Sequence, residues 1–273
     1  MSQNFFADDV GAVLSETVAE SGGPVYVVNP TLETVPDIVS QLHEEDGSTA
    51  VNLLAANETL KEVMGDFIVA GHASDLVVDD VLSVRLIEDR PEASLFVADG
   101  LVVSLVHVNE RVGGLTTSEA SFVDRVLDHY GDRWEGSEQF QIRTPSVRRV
   151  RETLSEEIGP EVTGDFDAIL SELDVARGDG EGLDEVTISI LAGARHGVLL
   201  YDISRWGEDI GLASKATFSR TKSRLEESGI VRTEKVPIDV GRPRLRLRLT
   251  EDGFRSASIP ELTERVQQRL AEK

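Results

Sequence analysis

Three arginines near the end of the chain alternate with leucines and have the chemistry to bind phosphate groups. Arg244, Arg246 and Arg248 are each followed by a leucine. An extended strand places successive side chains on opposite faces, so one face of this segment would be apolar and the other wholly basic. Guanidinium groups on the basic face would lie about 7 Å apart. This pattern indicates a surface that lies against a phosphate backbone.

The segment around these arginines is basic, although the chain as a whole is strongly acidic. The 273 residues include 50 acidic and 27 basic side chains, which gives a net charge of −23. Residues 212–250 carry ten basic and four acidic residues, whereas residues 1–183 carry 11 basic and 36 acidic ones. Neutralisation of phosphates by Lys and Arg supplies most non-specific affinity for nucleic acid. The local excess therefore predicts nucleic acid as the partner of the C-terminal region.

The acidity of the rest of the chain indicates a halophilic protein. Only five of the 27 basic residues are lysines, and the acidic residues are spread along the chain instead of forming a tail. This pattern resembles proteins of salt-accumulating halophiles, in whose cytoplasm the Debye length is about 3 Å or less. A merely acidic mesophilic protein is the alternative.

The first 140 residues alternate helical and strand-like periodicities, and we expect an α/β domain there. The Asp99-Gly100 pair is a strong signal for a short hairpin between two strands. The expected helices lie near residues 5–20, 32–43, from 58 onward, and 116–134, and the expected strands at 24–29, 49–55, 81–88, 94–98 and 101–108.

Residues 141–182 are expected to form a helical connector and a flexible joint. Residues 143–173 have the pattern of two amphipathic helices broken at Gly159-Pro160. We interpret them as a connector or a dimer-forming pair. Residues 177–182 are rich in glycine, which predicts a flexible joint.

From residue 183 the chain predicts helix, helix, turn, helix and two strands. Asp202 is the expected N-cap of the second helix, and Gly211 is expected to end it. Phe218 and Leu225 give the third helix a buried face, and Gly229 stops it. The expected bounds are 184–197, 202–211 and 214–228 for the helices and 231–236 and 244–249 for the strands.

This arrangement resembles the winged helix-turn-helix of archaeal and bacterial regulators, and we assign residues 183–255 to that domain. The resemblance is carried by the stretches DISRWGEDIGLASKATFSRTKSRLEESGIV and GRPRLRLRLT. It implies that the third helix enters the major groove of double-stranded DNA and that the wing tip reaches the minor groove. The implied DNA contacts are Ser214, Lys215, Thr217, Ser219, Arg220 and Arg224 on the third helix, Arg242 at the wing tip, and Arg244 and Arg246 on the second strand.

Residues 24–134 resemble half of a phospholipase D-like domain, as found in the effector domains of TrmB-type sugar-responsive regulators. The hairpin at Asp99-Gly100, followed by Gly113-Gly114, carries this resemblance. The catalytic family has His-x-Lys, four residues and Asp. Aligning its aspartate on Asp99 places Glu92 and Ser94 where the histidine and lysine belong. Since the nucleophile is missing, we predict no catalytic residues and no enzyme, against the alternative of an unrecognised α/β active site.

The chain as a whole resembles a haloarchaeal family of transcriptional regulators typified by TbsP. The acidic α/β region at the N-terminus, the helical connector and the winged helix at the C-terminus carry the resemblance. It implies promoter binding and control of genes of sugar or central carbon metabolism. We therefore expect a sequence-specific DNA-binding regulator. The alternative is a winged-helix interaction module that a protein partner recruits to promoters.

We predict no cofactor and no metal. The chain has no cysteine, its five histidines lack metal-binding spacing, and no glycine-rich phosphate loop is present. A small metabolite could act as effector at the strand ends, where Asn29 and Asn57 are the candidate contacts. Capping of the following helices is their alternative role.

The last segment, residues 256–273, predicts a terminal helix with Leu262, Val266 and Leu270 at four-residue spacing. Its apolar stripe would dock either on its own domain or on a partner. We expect a homodimer, because twofold symmetry is the commonest oligomer. Apolar runs are too short for a membrane span, and we place the protein in the cytoplasm.

Overall fold

The computed structural model describes residues 4–45, 49–89, 91–109, 111–177, 183–239, 241, 243–250 and 254–272. Contacts divide the chain into two compact units. The N-terminal unit contains residues 1–64 and 72–142, and the C-terminal unit contains residues 65–71 and 143–273. Our finer division into residues 1–140, 141–182, 183–255 and 256–273 stays a prediction. Most of its expected joint, residues 178–182, lies outside the described residues.

The N-terminal unit is built on a seven-stranded sheet. Its strands are β1 (Phe5–Ala7), β2 (Val25–Val28), β3 (Val51–Ala55), β4 (Leu82–Leu86), β5 (Leu95–Ala98), β6 (Leu101–Val108) and β7 (Arg111–Thr117). Its helices are α1 (Val10–Glu20), α2 (Thr34–Glu44), α3 (Asn57–Val63), α4 (Phe67–Val78) and α5 (Ala120–Gly136), the start of α4 being grouped with the C-terminal unit. The strand order is β1-β7-β6-β5-β2-β3-β4. Strands β2, β3 and β4 are parallel, and the other neighbouring pairs are antiparallel.

Two boundaries of the N-terminal unit differ from the predictions. The first helix begins at Val10, not at residue 5, because residues 5–7 pair with β7 as an edge strand. Asp9 caps this helix by accepting a hydrogen bond of 2.8 Å from the amide nitrogen of Ala12. The last helix begins at Ala120, not at residue 116, because the preceding residues complete strand β7, which the sequence did not reveal.

The C-terminal unit consists of helices with a two-stranded sheet. The elements are α6 (Val147–Glu157), α7 (Pro160–Leu170), α8 (Glu185–His196), α9 (Leu200–Asp209), α10 (Lys215–Glu227), β8 (Val231–Val236), β9 (Arg244–Leu249) and α11 (Ile259–Ala271). Strands β8 and β9 pair antiparallel over their whole length. Together with the mixed sheet of the N-terminal unit, this helical unit with its wing confirms the predicted fold class.

Helices α6 and α7 share the hydrophobic core of the C-terminal unit, and their expected role as a connector stays a prediction. Val150, Leu154 and Phe166 are fully buried in the same cluster as α8, α9 and α10. The indole nitrogen of Trp206 on α9 donates a hydrogen bond of 3.0 Å to the hydroxyl oxygen of Thr153 on α6. The apolar stripes of these helices are therefore filled within the unit.

The terminal helix α11 also docks on its own unit. Leu262 and Val266 are fully buried and Leu270 nearly so, in the core that α7 helps to form. Ser258 and Glu261 form a capping box at its start. Of the two alternatives for its apolar stripe, the structure selects docking on its own domain.

The start of α9 differs from the prediction. Asp202 lies in the first turn, and Leu199 is the N-cap residue. The reason is tertiary: the amide nitrogen of Leu247 on β9 donates to the carbonyl oxygen of Val198 at 2.9 Å. This bond fixes residues 198 and 199 as an extended segment beside the sheet, and the helix starts directly after it.

None of the described helices is both long and apolar enough to cross a bilayer. No group of three or more His, Asp or Glu side chains in the described part of the chain is arranged to hold a metal ion.

Candidate nucleic-acid interface

The turn between α9 and α10 is closed by backbone hydrogen bonds that depend on glycine. Gly211 adopts a φ of +80°, a left-handed conformation that glycine adopts readily. The amide nitrogens of Leu212 and Ala213 donate to the carbonyl oxygen of Gly207 at 2.8 and 3.3 Å. These bonds satisfy the end of α9 and redirect the chain into α10.

The N-terminal end of α10 is a cluster of exposed polar side chains. Ser214 caps the helix by accepting from the amide nitrogen of Thr217 at 3.2 Å. A guanidinium nitrogen of Arg220 donates to the Thr217 hydroxyl at 3.4 Å. Ser214, Lys215, Ser219 and Arg220 are exposed, whereas Thr217 is half-buried. The structure thus brings five of the predicted contact residues together on the first two turns of α10.

Lys215 is held by a carboxylate of the preceding helix. Its Nζ lies 2.5 Å from Oε2 of Glu208 on α9. This hydrogen bond raises the pKa of Lys215 and lowers the pKa of Glu208. Both side chains are exposed, and exposed ion pairs contribute little to stability. The pair positions the ammonium group at the helix start.

Arg224 lies apart from this cluster, on the inner side of α10. Its Nη2 donates to the hydroxyl oxygen of Thr187 on α8 at 3.0 Å. Thr187 is fully buried, and Nε of Arg224 is buried as well. The guanidinium group of the half-buried Arg224 thus bonds to the protein interior on one side, and its contact with DNA stays a prediction.

Glu226 fastens the C-terminal half of α10 to the wing. It accepts hydrogen bonds from Lys222 at 2.8 Å and from the Thr233 hydroxyl on β8 at 2.7 Å. Although partial burial raises the pKa of Glu226, these two bonds bring it below its usual value. The contact fixes β8 relative to the helix that precedes it.

The arginines of β9 form a less continuous basic row than the alternation predicts. The guanidinium carbon of Arg244 lies 3.4 Å from the ring centroid of Tyr201 on α9. Nε of Arg248 pairs with Glu234 on β8 at 3.4 Å. Arg246 lies opposite Glu234 in the strand register. Arg242 lies outside the described residues.

The sequence pattern did not indicate several residues that hold the basic side chains in place. Tyr201, Glu208, Thr187 and Glu234 each hold a basic side chain, but each comes from another element. No local pattern could have paired them. Gly207 is an exception, since a glycine inside a predicted helix is itself a signal of close packing.

The two candidate effector-binding residues of the N-terminal unit lie in different surroundings. Asn29 donates its side-chain nitrogen to the carbonyl oxygen of Pro91 at 2.8 Å. Asn57 is exposed at the start of α3 and lines a cavity of about 750 Å³ together with Glu58, Glu88 and Glu138. Asn29 does not line that cavity. Neither residue is an N-cap, since the caps of α2 and α3 are Glu33 and Ala56.

Comparison with solved structures gave distant matches. One is TrmBL2, described as an archaeal chromatin protein with a novel mode of DNA binding, at 12% identity and a TM-score of 0.37. That match covers 51% of this chain and 54% of TrmBL2, so it spans about half of the length of each. Another is the phospholipase D family member Nuc from Salmonella typhimurium, at 8% identity and a TM-score of 0.35, covering 51% of this chain and 97% of Nuc. No curated protein sequence matches the chain significantly.

Comparison with protein families gave matches over nearly the whole chain. Residues 2–145 match the N-terminal domain of TbsP-like transcriptional regulators. Residues 146–267 match the C-terminal helix-turn-helix domain of the same regulators. The second match includes α6 and α7, in agreement with the core that they share with α8, α9 and α10. The chain therefore belongs to the TbsP-like family of transcriptional regulators.

Proposed function

We propose that this regulator reads double-stranded promoter DNA with the N-terminal half of α10 and with its wing. The observation that carries the proposal is the exposed cluster of Ser214, Lys215, Ser219 and Arg220 at the start of α10. Side chains at this end of a recognition helix reach base edges, and arginine suits a bidentate bond with guanine. Thr217 would orient Arg220 through its hydroxyl.

The wing would contact the phosphate backbone beside the helix. Arg244, stacked on Tyr201, and Arg246 provide the positive charge along β9. Arg242 would enter the minor groove, as the resemblance to winged helices implies. The chain carries a net charge of −23, which repels DNA. The basic side chains of this segment oppose that repulsion, and this supports a specific role for them in binding DNA.

The protein acts as a homodimer in a halophilic archaeon and regulates genes of sugar or central carbon metabolism. A small metabolite bound to the N-terminal unit, or the geometry of the dimer, sets the spacing of the two wings. In concentrated salt, counterion release contributes little, so base contacts and water-mediated contacts carry more of the affinity.

Chromatin immunoprecipitation of the full-length protein, with and without sugar, tests the proposal directly. Arg220→Ala should abolish the promoter peaks, whereas Arg149→Ala, at an exposed arginine of α6, should leave them unchanged. In vitro, Arg220→Ala should also reduce the slope of log affinity against log salt by about one if Arg220 neutralises a phosphate, or relax sequence preference if it reads a base.

The competing function is a winged-helix module that binds another protein at promoters. It predicts that promoter peaks survive Arg220→Ala, and that the purified protein shows no sequence preference for the DNA under those peaks. Either result would overturn direct reading by α10. If the promoter peaks are present but do not change with sugar, only the proposed metabolite effector is overturned.

A further inference from the structure

One face of the N-terminal sheet carries an uncovered apolar patch. In the register of β1, β7 and β6, Phe6 lies opposite Gly113, and Gly113 lies opposite Val106. Residues that are directly opposite share a face of the sheet. Leu115 and Val108 belong to the same face, because they stand two residues from Gly113 and Val106.

The other end of this face is covered, and so is the reverse face. Val97 and Val102 are buried beneath α5, together with Val123 and Tyr130. On the reverse face, a Cβ at Gly114 would lie 3.0 Å from Cγ1 of Val13, which shows how closely α1 packs there. Helix α5 thus covers the sheet at β5 and leaves the outer ends of β6, β7 and β1 open.

The exposure of the patch is large for apolar side chains. Phe6 is 78% exposed, Val108 61%, Leu115 49%, Phe122 45% and Val106 41%. These are five of the ten large hydrophobic side chains that are exposed among the described residues. We define this set as the open-face patch. Contiguous exposed apolar surface of this kind marks interaction sites in soluble proteins.

We propose that the open-face patch is the homodimer interface, where it meets the same patch of a second copy about a twofold axis. The five side chains expose on the order of 500 Å² of apolar surface, given about 150–250 Å² for a whole aromatic side chain. One partner of a standard interface buries about 800 Å², of which about 65% is apolar in homodimers. The patch therefore has the apolar area that one half of a dimer needs.

The lack of carboxylates in the patch allows a second copy to dock there. Residues 1–183 carry 25 more acidic than basic residues, so two copies repel each other, and this repulsion is lowest where the contact surface carries no carboxylates. The patch itself consists of uncharged side chains, and Arg111 at its edge pairs with Asp8 at 3.7 Å. Such a surface is self-complementary, as an interface with twofold symmetry requires.

A small molecule is a poorer fit than a second copy. A cavity of about 680 Å³ opens beside the patch, lined by Leu115, Phe122 and Tyr130 among others. A ligand there would cover only part of the patch, because Phe6 and Val108 do not line the cavity. A second copy covers all five side chains together.

The test is sedimentation equilibrium of the full chain without DNA. The wild-type protein should have twice the mass of the 29.8 kDa chain. Phe6→Thr/Leu115→Thr should raise the dissociation constant at least 100-fold, because threonine keeps strand propensity but removes the apolar contact. The matched control is Val78→Thr, at a 69% exposed residue of α4, which should leave the dimer intact.

Two outcomes overturn the inference: a wild-type protein that is monomeric at high micromolar concentration, and a double variant that dimerises as tightly as wild type. Fluorescence of 8-anilinonaphthalene-1-sulfonate adds a second readout. Because the second copy closes the cavity in the wild-type dimer, the dye should bind the monomeric variant at least as strongly as it binds the dimer. A monomeric wild type that binds the dye in the cavity would assign the patch to small ligands.

The inference rests on the proposed function for the role of the dimer, but the mass of the protein is measured without DNA. Loss of DNA binding with an intact dimer would overturn only the proposed function.

Discussion

Gly207 on α9 lies directly against the ring of Phe218 on α10. A Cβ atom at Gly207 would overlap Cε2 and Cζ of that ring, well inside van der Waals contact. Phe218 is fully buried, and its helix carries the candidate DNA contacts. The approach of these two helices therefore depends on the missing side chain at position 207.

Gly207→Ala should destabilise the protein by about 1–3 kcal/mol, because overpacking of a close-packed core forces side chains or backbone to move. The measurement is the midpoint of denaturant unfolding. Gly164→Ala on α7 is the matched control, since a Cβ there meets no atom within 4 Å. The control should stabilise by about 0.5–1 kcal/mol, as alanine does at open helical positions. Equal effects of the two substitutions would contradict the close approach.

Arg224→Gln should reduce stability and leave DNA affinity nearly unchanged. The substitution removes the hydrogen bond between the guanidinium group and Thr187, whose hydroxyl is fully buried. Loss of a buried partner costs about 1–3 kcal/mol. Arg224→Gln should therefore lower the unfolding midpoint more than Arg220→Gln does, whereas Arg220→Gln should lower the DNA affinity more. A large loss of affinity at unchanged stability would restore Arg224 to the DNA surface.

Glu185 should make stability depend on pH around neutrality. Burial is the main cause that raises the pKa of this carboxyl group from 4.5 to about 7, and the charge of Asp184 adds to it. The folded state thus binds the proton more tightly, so stability falls as the pH rises from about 4.5 to about 7. Above that window the ionised group is a constant penalty of at most about 3 kcal/mol, lessened by the partial exposure of the side chain.

The variant Glu185→Gln isolates this contribution from the other carboxylates. It should be more stable than wild type above pH 7, and the difference should vanish towards pH 4.5. Glu227→Gln, at an exposed position of α10, is the control. A difference that is constant across the range would rule out titration of Glu185 as its origin.

Thr153→Val should weaken the attachment of α6 to α9. Valine keeps the shape of threonine but leaves the buried indole N–H of Trp206 without its acceptor. We expect a loss of about 1–3 kcal/mol, together with a shift in tryptophan fluorescence. Thr163→Val is the control, because that hydroxyl bonds only to its own helix, at the carbonyl oxygen of Gly159. An unchanged midpoint would mean that α6 contributes no hydrogen bond to this core.

The dimer should tighten, or stay unchanged, as the salt concentration rises tenfold to about 2 M KCl. Salt screens the repulsion between acidic copies, and the open-face patch has no charges whose attraction could be lost. An interface held by ion pairs would weaken instead. The dissociation constant at several salt concentrations distinguishes the two.

The sequence by itself determined most of the elements and the family. Alternation of arginine and leucine fixed β9, and glycines at positions 197, 211 and 229 marked helix ends, where they adopt positive φ values. Such signals are local, since the periodicity of a helix or strand and the freedom of glycine act within a few residues. Charge distribution likewise separated an acidic region from a basic one. The N-terminal strands β2, β3, β4, β5 and β6 and the helices of the C-terminal region followed from the same patterns.

Only the tertiary structure decided where the charged groups point and which surfaces are covered. Arg224 and Arg220 lie four residues apart on one helix, yet one bonds to Thr187 and the other is exposed. Strand β1 exists because β7 pairs with it, and β7 itself had no strong pattern of its own. The pairing energy of such groups comes from partners far along the chain. For the same reason the open-face patch emerged only when seven strands were in register with α5 on top, because alternation shows that a strand has an apolar face but not what covers it.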